Sequence, residues 1–88
     1  MSKLVGIQVS PNPVSVGQSL DIQTNMQENT QLQGSLTSVT GLQIKNFEWQ
    51  SGLGQQQKRV PTGDLSPGIY FLQLRSEQGS WSEKVLVF

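Results

Sequence analysis

Proline and glycine cut this 88-residue sequence into short pieces, and inside the pieces apolar and polar residues alternate with a period of two. That is the period of a strand with one face in water, whereas a helix needs apolar residues at three- and four-residue spacing. No segment shows the helical pattern. The chain also lacks alanine, the strongest helix former, while glutamine, serine and glycine are abundant and suit turns and exposed strand faces. An all-β chain follows.

Val5, Ile7 and Val9 alternate with polar neighbours and form a first strand. Pro11-Asn12-Pro13 ends it, because Pro11 and Pro13 bring no N–H to a ladder and Pro13 pushes Asn12 toward extended geometry. Leu20, Ile22 and Thr24 form a second strand that fades into a polar loop over Asn25–Gln31. Leu32 and Leu36 share a face with Gly34 between them, and Thr40-Gly41 turns the chain into Leu42 and Ile44 as a hairpin. Phe47 and Trp49 are out of phase with Ile44, which predicts a bulge near Asn46. Gln55–Val60 is a polar edge strand closed by Pro61. Ile69–Leu74 is the strongest β segment, apolar on both faces and expected to be buried on both, and Trp81–Phe88 returns from a turn at Glu77–Ser80. The expected fold is an immunoglobulin-like β-sandwich of about seven short antiparallel strands. At this length it is one domain over residues 1–88, with 1–4 as a linker or an added start.

Several classes of chemistry are excluded by what the chain lacks. Without cysteine there is no disulfide framework, and without histidine as well the usual ligands of transition metals are missing, so no cofactor is expected. No histidine is present to activate any serine, which argues against an enzyme. Six basic and six acidic residues cancel and are scattered, leaving no footprint for nucleic acid. Asp21, Glu28, Glu48, Asp64, Glu77 and Glu83 fall in exposed strand faces or turns and read as solvated carboxylates; no small-molecule substrate is implied. Trp49, Trp81 and Tyr70 fit an aromatic platform for sugars, but a core this small has more need of them as filling, with Trp81 partly exposed. Arg75 and Lys84 sit on the two arms of the last hairpin, close enough in sequence register to be neighbours.

One order of features goes beyond generic sandwich grammar. A strand, Pro11-Asn12-Pro13, a hairpin turning at Gly41, then Leu65-Ser66-Pro67-Gly68-Ile69-Tyr70-Phe71-Leu72 and a terminal strand carrying Lys84 follow one another from Val5 to Phe88. This resembles the type A C-terminal sorting domain of the type IX secretion system of Bacteroidota, the Por secretion family. The resemblance implies an address tag that directs a covalently attached passenger through the periplasm and across the outer membrane. Its partners are then an outer-membrane receptor and a sortase that removes the tag, leaving the passenger at the cell surface or outside. It places receptor recognition at Lys84, Gly68 and Tyr70, with backbone geometry at Gly68 and packing with a hydrogen-bonded hydroxyl at Tyr70 as the stronger competing readings. It makes Pro11, Asn12, Pro13 and Gly41 family positions of structural character; the strand reading adds Val85, Leu86, Val87 and Phe88 to the recognition set. Lys84 reads equally as a recognition residue and as a solvated edge residue. The chain departs from the pattern at Thr37-Ser38, where an aromatic–aspartate pair is usual, at Phe88, where a basic end is usual, and at Gly34, where a β-branched residue is usual.

Ile69 to Phe88 is expected to present main-chain groups along a free edge, suited to recognition by strand addition. Two other readings stand beside the tag. One is a fibronectin-like accessory module that binds polysaccharide or a surface protein through Trp49 or Trp81, and the other is a structural spacer indifferent to changes near Phe88.

Overall fold

The computed structural model describes residues 6–77 and 79–88. Seven strands are present, β1 (Ile7–Ser10), β2 (Ser19–Met26), β3 (Thr30–Ser38), β4 (Gln43–Ser51), β5 (Gly54–Pro61), β6 (Gly68–Ser76) and β7 (Gly79–Val87), and no helix occurs among the described residues. Expectations for Val5, for the 1–4 linker and for Gln78 in the last turn lie outside the described residues.

The strands form two antiparallel sheets, one ordered β1-β2-β5 and the other β4-β3-β6-β7. Lettered as an immunoglobulin sandwich, these are A-B-E and C′-C-F-G, so the fourth strand lies beside the third instead of beside the fifth. The expected all-β sandwich is what forms.

Alternation decides what fills the space between the sheets. Leu20, Ile22 and Met26 of β2 and Val60 of β5 face Leu32 and Leu36 of β3, Tyr70, Leu72 and Leu74 of β6, and Val85 and Val87 of β7. Trp49, Trp81, Phe47, Ile7 and Val9 close the margins. Burying a side chain of the Leu, Ile or Val class stabilises by roughly 1.5–3 kcal/mol, and this set replaces the disulfides the chain lacks. The few buried polar groups are partnered: Thr24 and Ser51 share a hydrogen bond of 2.8 Å across the sandwich, and the Thr62 hydroxyl donates to the Gln18 carbonyl. No buried side-chain polar atom among the described residues lacks a partner.

Three expectations need correction. The polar stretch Asn25–Gln31 is mostly strand: β2 runs on to Met26 and β3 begins at Thr30, because Met26 and Thr30 keep the inward alternation going. The bulge lies at Ile44, not near Asn46, since Leu36 pairs with Lys45 and Thr37 with Gln43, which leaves Ile44 unopposed. The strand Ile69–Leu74 is buried on one face only. Leu72 and Leu74 are fully buried, while Ile69 and Phe71 are each 40% exposed, because no third layer covers the outside of the four-stranded sheet.

Gly34 is explained by a close approach. It pairs with Phe47, and a Cβ built on it would lie 2.2 Å from the Phe47 ring, so the ring occupies the space a side chain would take. Phe47 in turn stacks on Trp49 with ring centroids 5.7 Å apart.

Candidate recognition face on the last hairpin

In β7 the side chains alternate strictly. Val85 and Val87 are 0% and 1% exposed and belong to the core, whereas Lys84 and Leu86 point outward, with Phe88 just beyond the strand and 60% exposed. Tyr70 is also a core residue, and its hydroxyl donates to the Ser66 carbonyl at 2.6 Å, the tyrosine-corner geometry of sandwich folds. Gly68 opens β6 opposite Val87. Val85 and Val87, expected to contact a receptor, are therefore filling, and of the two readings of Tyr70 the packing one holds, as their parity with Leu72 and Leu74 requires.

Outward residues of β6 take their place. Ser76 pairs with Gly79, and from there the antiparallel register sets Phe71 opposite Lys84 and Ile69 opposite Leu86. Ile69, Phe71, Leu86 and Phe88 with Lys84 thus form one exposed apolar face with a cation in it. Sequence reasoning missed Ile69 and Phe71 as surface residues because an apolar run gives no sign of which face is covered. Counting the register back from a tight turn would have found them opposite Leu86 and Lys84. Arg75 pairs with Ser80, four residues along β6 from Phe71, so it is not a neighbour of Lys84.

The free edge expected along β7 is closed over its last stretch, from the Lys84 carbonyl to Phe88. The segment 12–16 runs beside it in parallel, anchored by Val14, which is fully buried and bridges to Val87. The Val14 N–H donates to the Leu86 carbonyl (2.8 Å), the Phe88 N–H to the Val14 carbonyl (3.0 Å) and the Val16 N–H to the Phe88 carbonyl (2.7 Å). Next along, Pro11 and Pro13 have no N–H to offer, and the carboxamide of Asn12 does the work of a peptide group: its Nδ2 donates to the Lys84 carbonyl at 2.9 Å and its Oδ1 accepts from the Leu86 N–H at 3.2 Å. Both Ser10–Pro11 and Asn12–Pro13 peptide bonds are cis. The tripeptide expected to be a strand exit is that, and also a strap over the opposite end of the chain. Gly41 sits in the β3–β4 turn at φ +91°, a left-handed conformation that favours glycine.

The aromatic platform does not form. Trp49 pairs with Leu32 and Trp81 with Leu74, both on the inner face of the four-stranded sheet and on its two opposite edge strands, and Tyr70 is buried four residues along β6 from Leu74, in register with Ser38 and Val85.

A family model described as a secretion system C-terminal sorting domain matches residues 8–88. The chain belongs to this family, the type IX secretion C-terminal sorting domains. Membership implies dealings with the secretion machinery and with a passenger domain, and export across the outer membrane to the cell surface or beyond. No curated protein matches the chain.

Proposed function

We propose that this domain is the export address of a passenger protein: it folds in the periplasm, is bound there by an outer-membrane receptor of the type IX machinery, and is removed by a sortase after translocation. Residues 1–88 act as one sorting unit in this reading. The observation that carries it is the family match over residues 8–88, which spans both the Pro11-Asn12-Pro13 strap and the hairpin it covers. The domain contributes recognition and no bond-making step.

Of the residues expected to meet a receptor, Lys84, Leu86 and Phe88 are exposed enough to touch one, and Tyr70, Val85 and Val87 support them from within. Deleting residues 85–88 is therefore a poor test, because it removes two core valines and the partners of the strap together. A cleaner one fuses the chain to a reporter that folds in the periplasm of a bacterium with a type IX system. Reporter on the surface or in the medium with the domain, and in the periplasm without it, is the expected result. Equal export of both forms would refute the assignment.

A further inference from the structure

Every strand edge of this domain carries a feature that discourages another strand from adding to it. On β7 the outward main-chain groups at the Lys84 carbonyl, Leu86 and Phe88 are all taken by the strap. The strap offers little in turn: Pro11 and Pro13 have no N–H, and the Ser15 N–H donates to Gln18 Oε1 at 3.0 Å. The edge strands β4 and β5 each carry a lysine on the inward-facing register, Lys45 opposite Leu36 and Lys58 opposite Ile22, and β4 adds its bulge and β5 ends in Pro61. The remaining edge, β1, is four residues long. Inward lysines, bulges, prolines and short strands are the devices that keep sheet edges from pairing with other chains.

The face of β6 and β7 is the reverse. Four large apolar side chains stand exposed around Lys84, and among the described residues no carboxylate pairs with that ammonium. A surface that covers the four apolar groups also takes Lys84 out of water. An ammonium desolvated without a partner is strongly unfavourable, so an occupant that brings an anion to Lys84 is the one this face favours.

We infer that the machinery reads this domain through the outward side chains Ile69, Phe71, Lys84, Leu86 and Phe88, with the strap in place, by means of a receptor protein whose apolar surface sets a carboxylate against Lys84. This rests on the sorting assignment and names the contact surface within it. A membrane is the weaker occupant, because one lysine falls short of the four to eight or so basic residues that hold a protein to anionic lipid.

The reporter fusion supplies the test. Ile69→Thr, Phe71→Thr and Leu86→Thr combined keep β-branched, strand-favouring residues on a solvent face, and should lower export roughly tenfold or more while the purified domain keeps its circular dichroism and melting temperature. Lys84→Glu should lower export further than Lys84→Gln, since it sets like charge against the receptor's anion. Asn12→Ala frees the Lys84 carbonyl and the Leu86 N–H on the β7 edge and should leave export unchanged. Wild-type export from the folded face variants, or export raised by Asn12→Ala, would overturn the inference while the sorting assignment stood. Export unaffected by removing the whole domain would remove the assignment itself. Sedimentation of the purified domain with anionic vesicles, lost in the face variants, would transfer the face to a membrane and also overturn it.

Discussion

The two outer faces of the sandwich present opposite chemistry. Across the three-stranded sheet Gln8, Gln23 and Gln57 line up in one row, Asn25 and Gln55 in the next, and Asp21 pairs with Arg59 at 3.2 Å in another. Across the four-stranded sheet the rows nearest Gly68 hold Ile69 with Leu86 and Phe71 with Lys84, and only toward Ser76 do they turn polar, through Gln73 with Ser82 and Arg75 with Ser80. Folding makes the same demand of both faces, that they tolerate water. The amide-covered face meets it and the hairpin face does not, so the apolar end of the hairpin serves something other than the stability of the isolated domain.

Neighbouring residues of β6 give the sharpest way to break that contrast. Leu72→Ala should destabilise by about 3 kcal/mol, as deletion in a packed core does, whereas Phe71→Ser next to it should cost less than about 1 kcal/mol. Chemical denaturation of both variants reads the difference. Equal losses would make the exposed face structural and erase the distinction between the two sides of the strand.

The region behind the face comes next in size. Gly34→Val drives a side chain into the Phe47 ring and should cost about 2 kcal/mol, the usual range for overpacking. Phe47→Ala in the same chain should relieve part of that cost, and a double-mutant cycle on melting curves would measure the coupling.

Two polar links should cost about 1 kcal/mol each, the ordinary net value of an intramolecular hydrogen bond. Tyr70→Phe loses the bond to Ser66, and Asn12→Ala loses the side-chain bonds to Lys84 and Leu86. Hydrogen exchange separates them: Asn12→Ala should speed exchange at the Leu86 amide, and Tyr70→Phe should leave it alone. An unchanged Leu86 amide in Asn12→Ala would show that the strap does not hold the edge.

The smallest expected effect is electrostatic and lies at the edge of the four-stranded sheet farthest from β7. Exposed Asp64 is held below its ordinary pKa first by the hydrogen bond from Lys45, whose Nζ is 3.0 Å from Oδ1, with the Asp64 backbone and the Lys45 charge assisting. A carboxylate with a lowered folded-state pKa contributes stability above the ordinary aspartate range and loses it as pH falls through the folded value. Stability should therefore decline slightly on acidification in this window, and Asp64→Asn should flatten that part of the curve. An identical acid limb in the variant would show that the pair contributes nothing.

Much of the architecture was legible from alternation alone. Leu20, Ile22, Leu32, Leu36, Leu72 and Leu74 face the core because a strand has two sides and these residues share one. Gly41 and the proline-bounded edge strand β5 likewise follow from local backbone chemistry. The candidate site was legible in part: Lys84, Leu86 and Phe88 face out, but Val85 and Val87 were assigned to a receptor and Ile69 and Phe71 to the core.

What remained hidden is non-local. An apolar run such as Ile69–Leu74 reads the same whether a second layer covers it or not, and only the arrangement of the two sheets leaves its outer side bare. The strap is further out of reach, since Asn12 and the Lys84 carbonyl are 72 positions apart and no local preference of either predicts that they meet. Sequence by itself determined where most of the strands lie and which of their residues share a side, because those are properties of neighbouring residues. The tertiary structure decided which edge is closed and which face is open, because both depend on what the rest of the chain places alongside.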